Sequence, residues 1–184
     1  ENLPTIFASW ELLPLLGKEP SLGRGFLPEE DEPGATPVVM VSHGYWQGRL
    51  GGDPEVVGRV LTLWGWGNRG LEPFELTVVG VLPPDFQMPP LRTGDGVGSL
   101  SAPDILAPMG MWSWARTTRT ERQVFALARL APGVTPEVAG ADLDGIARGI
   151  SATDPGVGRV VRSAVVTIPH LLSRQLGPSL LLLW

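Results

Sequence analysis

The chain has 184 residues, of which 43% are hydrophobic and 18% charged, with a formal net charge of -5. This length supports one substantial core or two small packed subdomains, and the composition excludes a disordered polyelectrolyte, which needs low hydrophobicity and high net charge. The acidic balance, without any Lys/Arg-rich run, speaks against nucleic acid as a partner, and the absence of cysteine excludes disulfides, a thiol nucleophile and thiolate metal sites.

Residues Glu1 to Trp10 carry neither a basic n-region nor a long apolar run, so no signal peptide is expected, and the chain reads as a piece of a longer one. Trp10 to Leu16 is helix-compatible until Gly17, after which Pro20, Gly23 and Gly25 impose turns. Glu29, Glu30, Asp31 and Glu32, running into Pro33 and Gly34, read as a solvated acidic loop rather than a metal site. The β-branched run Val38 to Val41 predicts a strand, Tyr45 to Leu50 one or two helical turns, and Asp53-Pro54 a fresh helix start with Asp53 as N-cap. Val60 to Trp64 and Glu75 to Leu82 predict a hairpin, and the Gly- and Ser-rich stretch from Pro89 to Pro103 a long surface loop before a short strand at Ile105 to Ala107.

Beyond about Thr120 the pattern changes to strand–helix–strand. Val124 to Leu130 and Val161 to Ile168 read as strands around a helix opened by Thr135 and Pro136. Ala139, Leu143, Ile146, Ala147 and Ile150 form one apolar stripe fit to lie on a sheet. Gly140, Gly145 and Gly149 each cost about 1 kcal/mol against Ala, so that packing has to supply much of the helix's stability. The final run, Leu180 to Trp184, reads either as the opening of a membrane span, far short of the ~20 residues a span needs, or as an amphipathic helix docking on the core.

Few motifs carry chemistry. Gly65, Gly67 and Gly70 spell G-x-G-x-x-G, but Leu71 to Phe74 lead straight into a strand instead of the helix a pyrophosphate requires, so a hairpin loop is expected and no cofactor. Trp64 and Trp66 beside those glycines, with Arg69, are the candidate partner contact, although the indoles serve equally to cover the hairpin's own core. His43 and His170 have no metal-ligand spacing; His43 reads as a turn histidine before it reads as a general base. Asp142 and Asp144, two apart on a helix, read as a solvated face. No G-x-S-x-G elbow, P-loop or S-x-x-K is present, so no catalytic residue is assigned.

A longer set of residues resembles a known family. Leu22 to Phe26 (LGRGF), Pro28 to Asp31 (PEED), and Pro37 to Ser42 leading to Gly44-Tyr45-Trp46 are similar, in order and spacing, to the MacB-like periplasmic core domain of FtsX/MacB-type ABC permeases. The likeness continues through Arg49 to Pro54, Val56 to Arg59, Leu76 to Phe86, Asp104 to Pro108, Ala128 to Leu130, Pro132 to Thr135, and Ala141, Leu143 and Ile146. The resemblance implies an α+β fold: a β-rich subdomain over 1–115, half of a strand–helix–strand subdomain over 116–170, and the start of a transmembrane helix over 171–184. It also implies that the other half of the split subdomain precedes Glu1.

By the same resemblance, the domain lies at the periplasmic face of the bacterial inner membrane. It catalyses nothing and holds no cofactor. Its partners are a cytoplasmic ABC ATPase subunit or domain, acting through the membrane part of the parent chain, and a periplasmic adaptor protein. It transmits ATP-driven conformational change to substrates or partners, in efflux or in lipoprotein- or macrolide-type export. Two other readings compete: a stand-alone ligand-binding or enzymatic envelope domain using the Trp64–Gly70 loop and His43, and a signalling permease domain that controls a cell-wall hydrolase.

Overall fold

The computed structural model describes residues 3–67, 70–89, 91–93, 96–98, 103–111, 125–153 and 165–169. The elements follow in the order β1 (Thr5–Ala8), α1 (Leu12–Leu16), β2 (Leu22–Gly23), a 3-10 turn at Pro28–Asp31, β3 (Val38–Val41), α2 (His43–Arg49), β4 (Val60–Gly67) and β5 (Gly70–Val81). Then come β6 (Leu91–Thr93), β7 (Gly96–Gly98), β8 (Ile105–Pro108), a second 3-10 turn at Met109–Met111, and α3 (Pro136–Thr153). The chain divides into two compact units, Glu1–Met88 with Ser101–Trp114, and Pro89–Leu100 with Ala115–Trp184.

The first unit is built on a mixed six-stranded sheet of order β1-β8-β3-β5-β2, with β4 also on β5. Every residue of β3 (VVMV) and of β8 (ILAP) is buried. Such unbroken apolar runs, without alternation, mark strands covered on both faces. β8 lies between β1, parallel to it, and β3, antiparallel to it, while β3 runs parallel to β5. Val39, Val41, Val56, Leu61, Leu76, Val78, Val81, Ile105 and Ala107 form the core, and Tyr45, Trp46 and Leu50 of the α2 region pack against it. The β3–β5 register slips between Val39 and Met40, a bulge that leaves Val79 unpaired with β3. There β2 comes so close that a Cβ on Gly80 would lie 2.4 Å from the Arg24 carbonyl oxygen, so only glycine fits.

Several local expectations are met. α1 ends on Gly17, the hairpin forms, and Thr135 caps α3, its Oγ1 accepting the Val138 N–H at 3.4 Å. Others are corrected. Asp53 starts no helix: its side chain accepts the Glu55 N–H at 2.9 Å, an Asx turn that uses the same local bond without a continuing periodic face. The expected Pro89–Pro103 loop contains the two-stranded β6–β7 ladder.

In the second unit, residues 125–130 and 165–167 are not strands, although both were expected to be. Extended apolar chain becomes strand only where a neighbouring edge takes its N–H and C=O groups, and among the described residues no edge pairs with them. Residues 161–164 of the second expected strand lie outside the described residues. The α3 stripe is also divided. The half-buried positions Gly140, Asp144, Ala147 and Ser151 recur at helical spacing, and a Cβ on Gly140 would meet Val165 at 3.8 Å. Leu143, Ile146 and Ile150 face solvent instead of a sheet. Among the described residues no helix is long and apolar enough to cross a membrane; Leu180 to Trp184 lie outside them.

Candidate docking surface

The β4–β5 hairpin carries the first candidate. Its strands pair without interruption from Val60 opposite Thr77 to Gly67 opposite Gly70. Most of the connection expected between Trp64 and Glu75 is therefore ladder, because a link of only two residues between Gly67 and Gly70 lets the strands stay paired up to it. Asn68 and Arg69, which form that connection, lie outside the described residues. β3 joins β5 only from Thr77 onward, so among the described residues Gly70 to Leu76 pair with β4 alone.

Side chains alternate across this ribbon. Leu61 and Leu76 are buried in the core and Leu63 and Phe74 pack against it, which fixes the inner face. Val60, Thr62 and Trp64 turn outward, with Thr77, Glu75 and Pro73 opposite them. Trp64 is 65% exposed, so it does not cover the hairpin's own core. Trp66 takes the next register position of this series, opposite Leu71. Gly65 and Gly67 lie on β4 and Gly70 on β5, so among the described residues the G-x-G-x-x-G spacing leads into a strand and not into a helix.

Within the acidic run Glu29 and Glu32 are exposed, as expected of a solvated loop, but Glu30 and Asp31 form a structural clasp. Glu30 is buried and accepts three hydrogen bonds: Arg24 Nη1 at 2.9 Å, Arg24 Nη2 at 2.7 Å and the Leu27 N–H at 2.7 Å. Burial disfavours its charged form, but the bonds from Arg24 and Leu27 outweigh that and hold its pKa below the ordinary carboxylate value. Asp31 accepts the Trp10 N–H at 2.7 Å and the Met109 N–H at 3.1 Å, so one carboxylate ties the chain just past β1 to the chain just past β8. Gly110 lies against this turn so closely that a Cβ there would come within 2.5 Å of the Asp31 carbonyl carbon. The motif PEED was visible in the sequence, but its burial depends on Trp10, Arg24 and Met109 converging on it.

His43 is the first residue of α2, not a turn residue, because Ser42 caps the helix by accepting the Tyr45 N–H at 3.0 Å. Its ring meets Trp46 edge-on with centroids 5.3 Å apart, a packing contact. Trp46 in turn donates its Nε1–H to the Asp53 carbonyl at 2.8 Å and so secures the turn after α2. Among the described residues no three His, Asp or Glu side chains converge as metal ligands would. His170, Trp66 as a side chain and Arg69 have no described surroundings.

The clasp side chains Arg24, Glu30 and Asp31 and the later half of β5, from Leu76, lie in the quoted motifs, whereas Val60 to Glu75 of the hairpin do not. A family model for the MacB-like periplasmic core domain matches residues 3–146, from just before β1 to within α3. No curated protein matches the chain. The chain belongs to the MacB-like periplasmic core domain family, an extracytoplasmic part of membrane-anchored ABC transporter permeases of the MacB/FtsX type.

Proposed function

We propose that this domain is a non-catalytic transmission module. It carries conformational change, driven by ATP hydrolysis in a cytoplasmic ABC ATPase subunit or domain, to substrates or partner proteins beyond the inner membrane. The family match over residues 3–146 is the observation that carries this reading. Two features of the first unit support it. Its central strands β3 and β8 are buried throughout, which makes a body that resists bending. Its first and last strands, β1 and β8, lie side by side, so load entering along either is shared across one ladder and the Asp31 clasp. A stiff body joined to moving helices rotates as a unit instead of deforming.

In this reading the β-rich part spans 1–115, the strand–helix–strand half 116–170 and the start of a membrane helix 171–184. A periplasmic adaptor is the natural protein partner for efflux or lipoprotein- or macrolide-type export, and the hairpin residues Trp64, Trp66 and Arg69 are the point of contact outside the domain. The test is the parent permease, reconstituted with its ATPase, with residues 3–146 replaced by a flexible linker. Basal ATP hydrolysis and membrane insertion should persist while transport is lost. Transport at the unaltered rate would refute the proposal.

A further inference from the structure

We propose that the free edge of β4 pairs with the same edge of a second copy of this chain, antiparallel and centred on Thr62. The inference does not depend on the transmission reading, since it concerns the backbone groups of one strand. Val78 donates its N–H to the Arg59 carbonyl at 2.9 Å, whereas its neighbour Thr77 donates to the Pro37 carbonyl at 3.0 Å, on the other side of β5. Bonding alternates along an antiparallel ladder, so Val60 opposite Thr77, Thr62 opposite Glu75 and Trp64 opposite Pro73 are the non-bonded pairs. The N–H and C=O groups of Val60, Thr62 and Trp64 therefore point away from β5. Among the described residues no other strand pairs with β4, and all three side chains are exposed.

The two edges of the ribbon differ. On β5 the groups that face away from β4 include those of Pro73, which has no N–H, and of Glu75, an exposed charge; proline and charge both blunt an edge against pairing. β4 (VLTLWGWG) has neither, in a chain whose net charge is -5, so two copies meet along it without like-charge repulsion. The residues around Thr62 also suit pairing with themselves. A two-fold axis through Thr62 sets Thr62 against its counterpart, Val60 against Trp64 and Leu61 against Leu63. Thr–Thr and aromatic–β-branched pairs are favoured across strands, and in this register every outward N–H and C=O of Val60, Thr62 and Trp64 meets its complement. The pairing uses up the edge, so assembly stops at two copies.

The test is sedimentation velocity of the full 184-residue chain over a series from micromolar to millimolar concentration, with amide hydrogen exchange on the same samples. A monomer–dimer equilibrium is expected, in which exchange at Val60, Thr62 and Trp64 slows as the dimer fills. Thr62→Pro, which an edge strand tolerates because that N–H faces outward, should weaken dimerisation about tenfold or more. Thr62→Lys and Thr62→Glu each set like charges opposite one another across the axis and should weaken it about fivefold, with the far-UV circular dichroism unchanged. Mixed in equal amounts, these two variants should associate again, because unlike charges then face each other. A monomer at every concentration overturns the proposal and leaves the edge to an extended segment of another protein. A dimer that Thr62→Pro leaves intact overturns it by moving the contact elsewhere, and failure of the charge variants to recover on mixing overturns the register. Exchange at these three amides that ignores concentration overturns it without recourse to any variant, and open assemblies larger than a dimer overturn the two-fold.

Discussion

Glu30→Ala removes the centre of the clasp. The carboxylate accepts two bonds from Arg24 and one from the Leu27 N–H, and its side chain is 10% exposed against 44% for Arg24. Charge-assisted bonds are worth about 1.5–3 kcal/mol each, but a half-exposed guanidinium rehydrates once freed, so the Arg24 share is discounted to about 1 kcal/mol. The orphaned Leu27 N–H adds about 1–2 kcal/mol, for a total near 2–3 kcal/mol. Urea unfolding of the 184-residue chain, followed by far-UV circular dichroism, should show a midpoint lowered by about 1–2 M with the slope unchanged. Glu30→Gln, which keeps an acceptor for Leu27 and loses the charge, should cost about half as much. A loss below ~0.5 kcal/mol for the alanine variant would place Glu30 among ordinary surface residues and refute the clasp.

The same carboxylate sets a pH dependence. Because its folded pKa is lowered, its contribution is fully present above the unfolded value of about 4.3 and is lost as pH falls through the lower folded value; Glu30→Gln should flatten the stability profile in that acid range and nowhere else. Gly110→Ala should destabilise by about 1–3 kcal/mol in the same urea assay, since the new Cβ meets backbone of Glu30 and Asp31 rather than a side chain that can turn aside. Met40→Ala, in the fully buried central strand, should cost about 2–5 kcal/mol, whereas Ile146→Ser on α3 should change stability by less than ~0.5 kcal/mol, because Ile146 is 60% exposed. A large loss from Ile146→Ser would mean that the stripe packs on a sheet after all.

The elements with the strongest local chemistry were legible in the sequence. Val38 to Val41 reads as a strand from its β-branched run, Gly17 and Thr135 with Pro136 mark helix ends by their own backbone preferences, and Val60 to Trp64 with Glu75 to Leu82 read as the hairpin that forms. Apart from Asp53, whose turn is local, the misreadings depended on contacts made outside the local segment. Glu30 and Asp31 look solvated until Arg24 folds back on Glu30 and Trp10 and Met109 arrive at Asp31 from segments well removed in the chain. Leu143, Ile146 and Ile150 have the spacing of a packed face, but they are exposed, and it is Gly140 that lies beside Val165. At the hairpin, residue type drew attention to Trp64 and Trp66, while the register that places Pro73 opposite Trp64 and continues the ladder toward the tip follows only from pairing.

The central claim is transmission by a stiff body. Because the chain contains no cysteine, nitroxides can be introduced at exposed Glu29 and Gln47 of the first unit, and at one site in the membrane part of the parent permease, without removing native thiols from this domain. Pulsed electron–electron resonance on the reconstituted transporter, with and without ATP, then reads two distances. The account predicts that the Glu29–Gln47 distance stays fixed while the Gln47-to-membrane distance shifts with nucleotide; a Gln47-to-membrane distance that ignores ATP would contradict it.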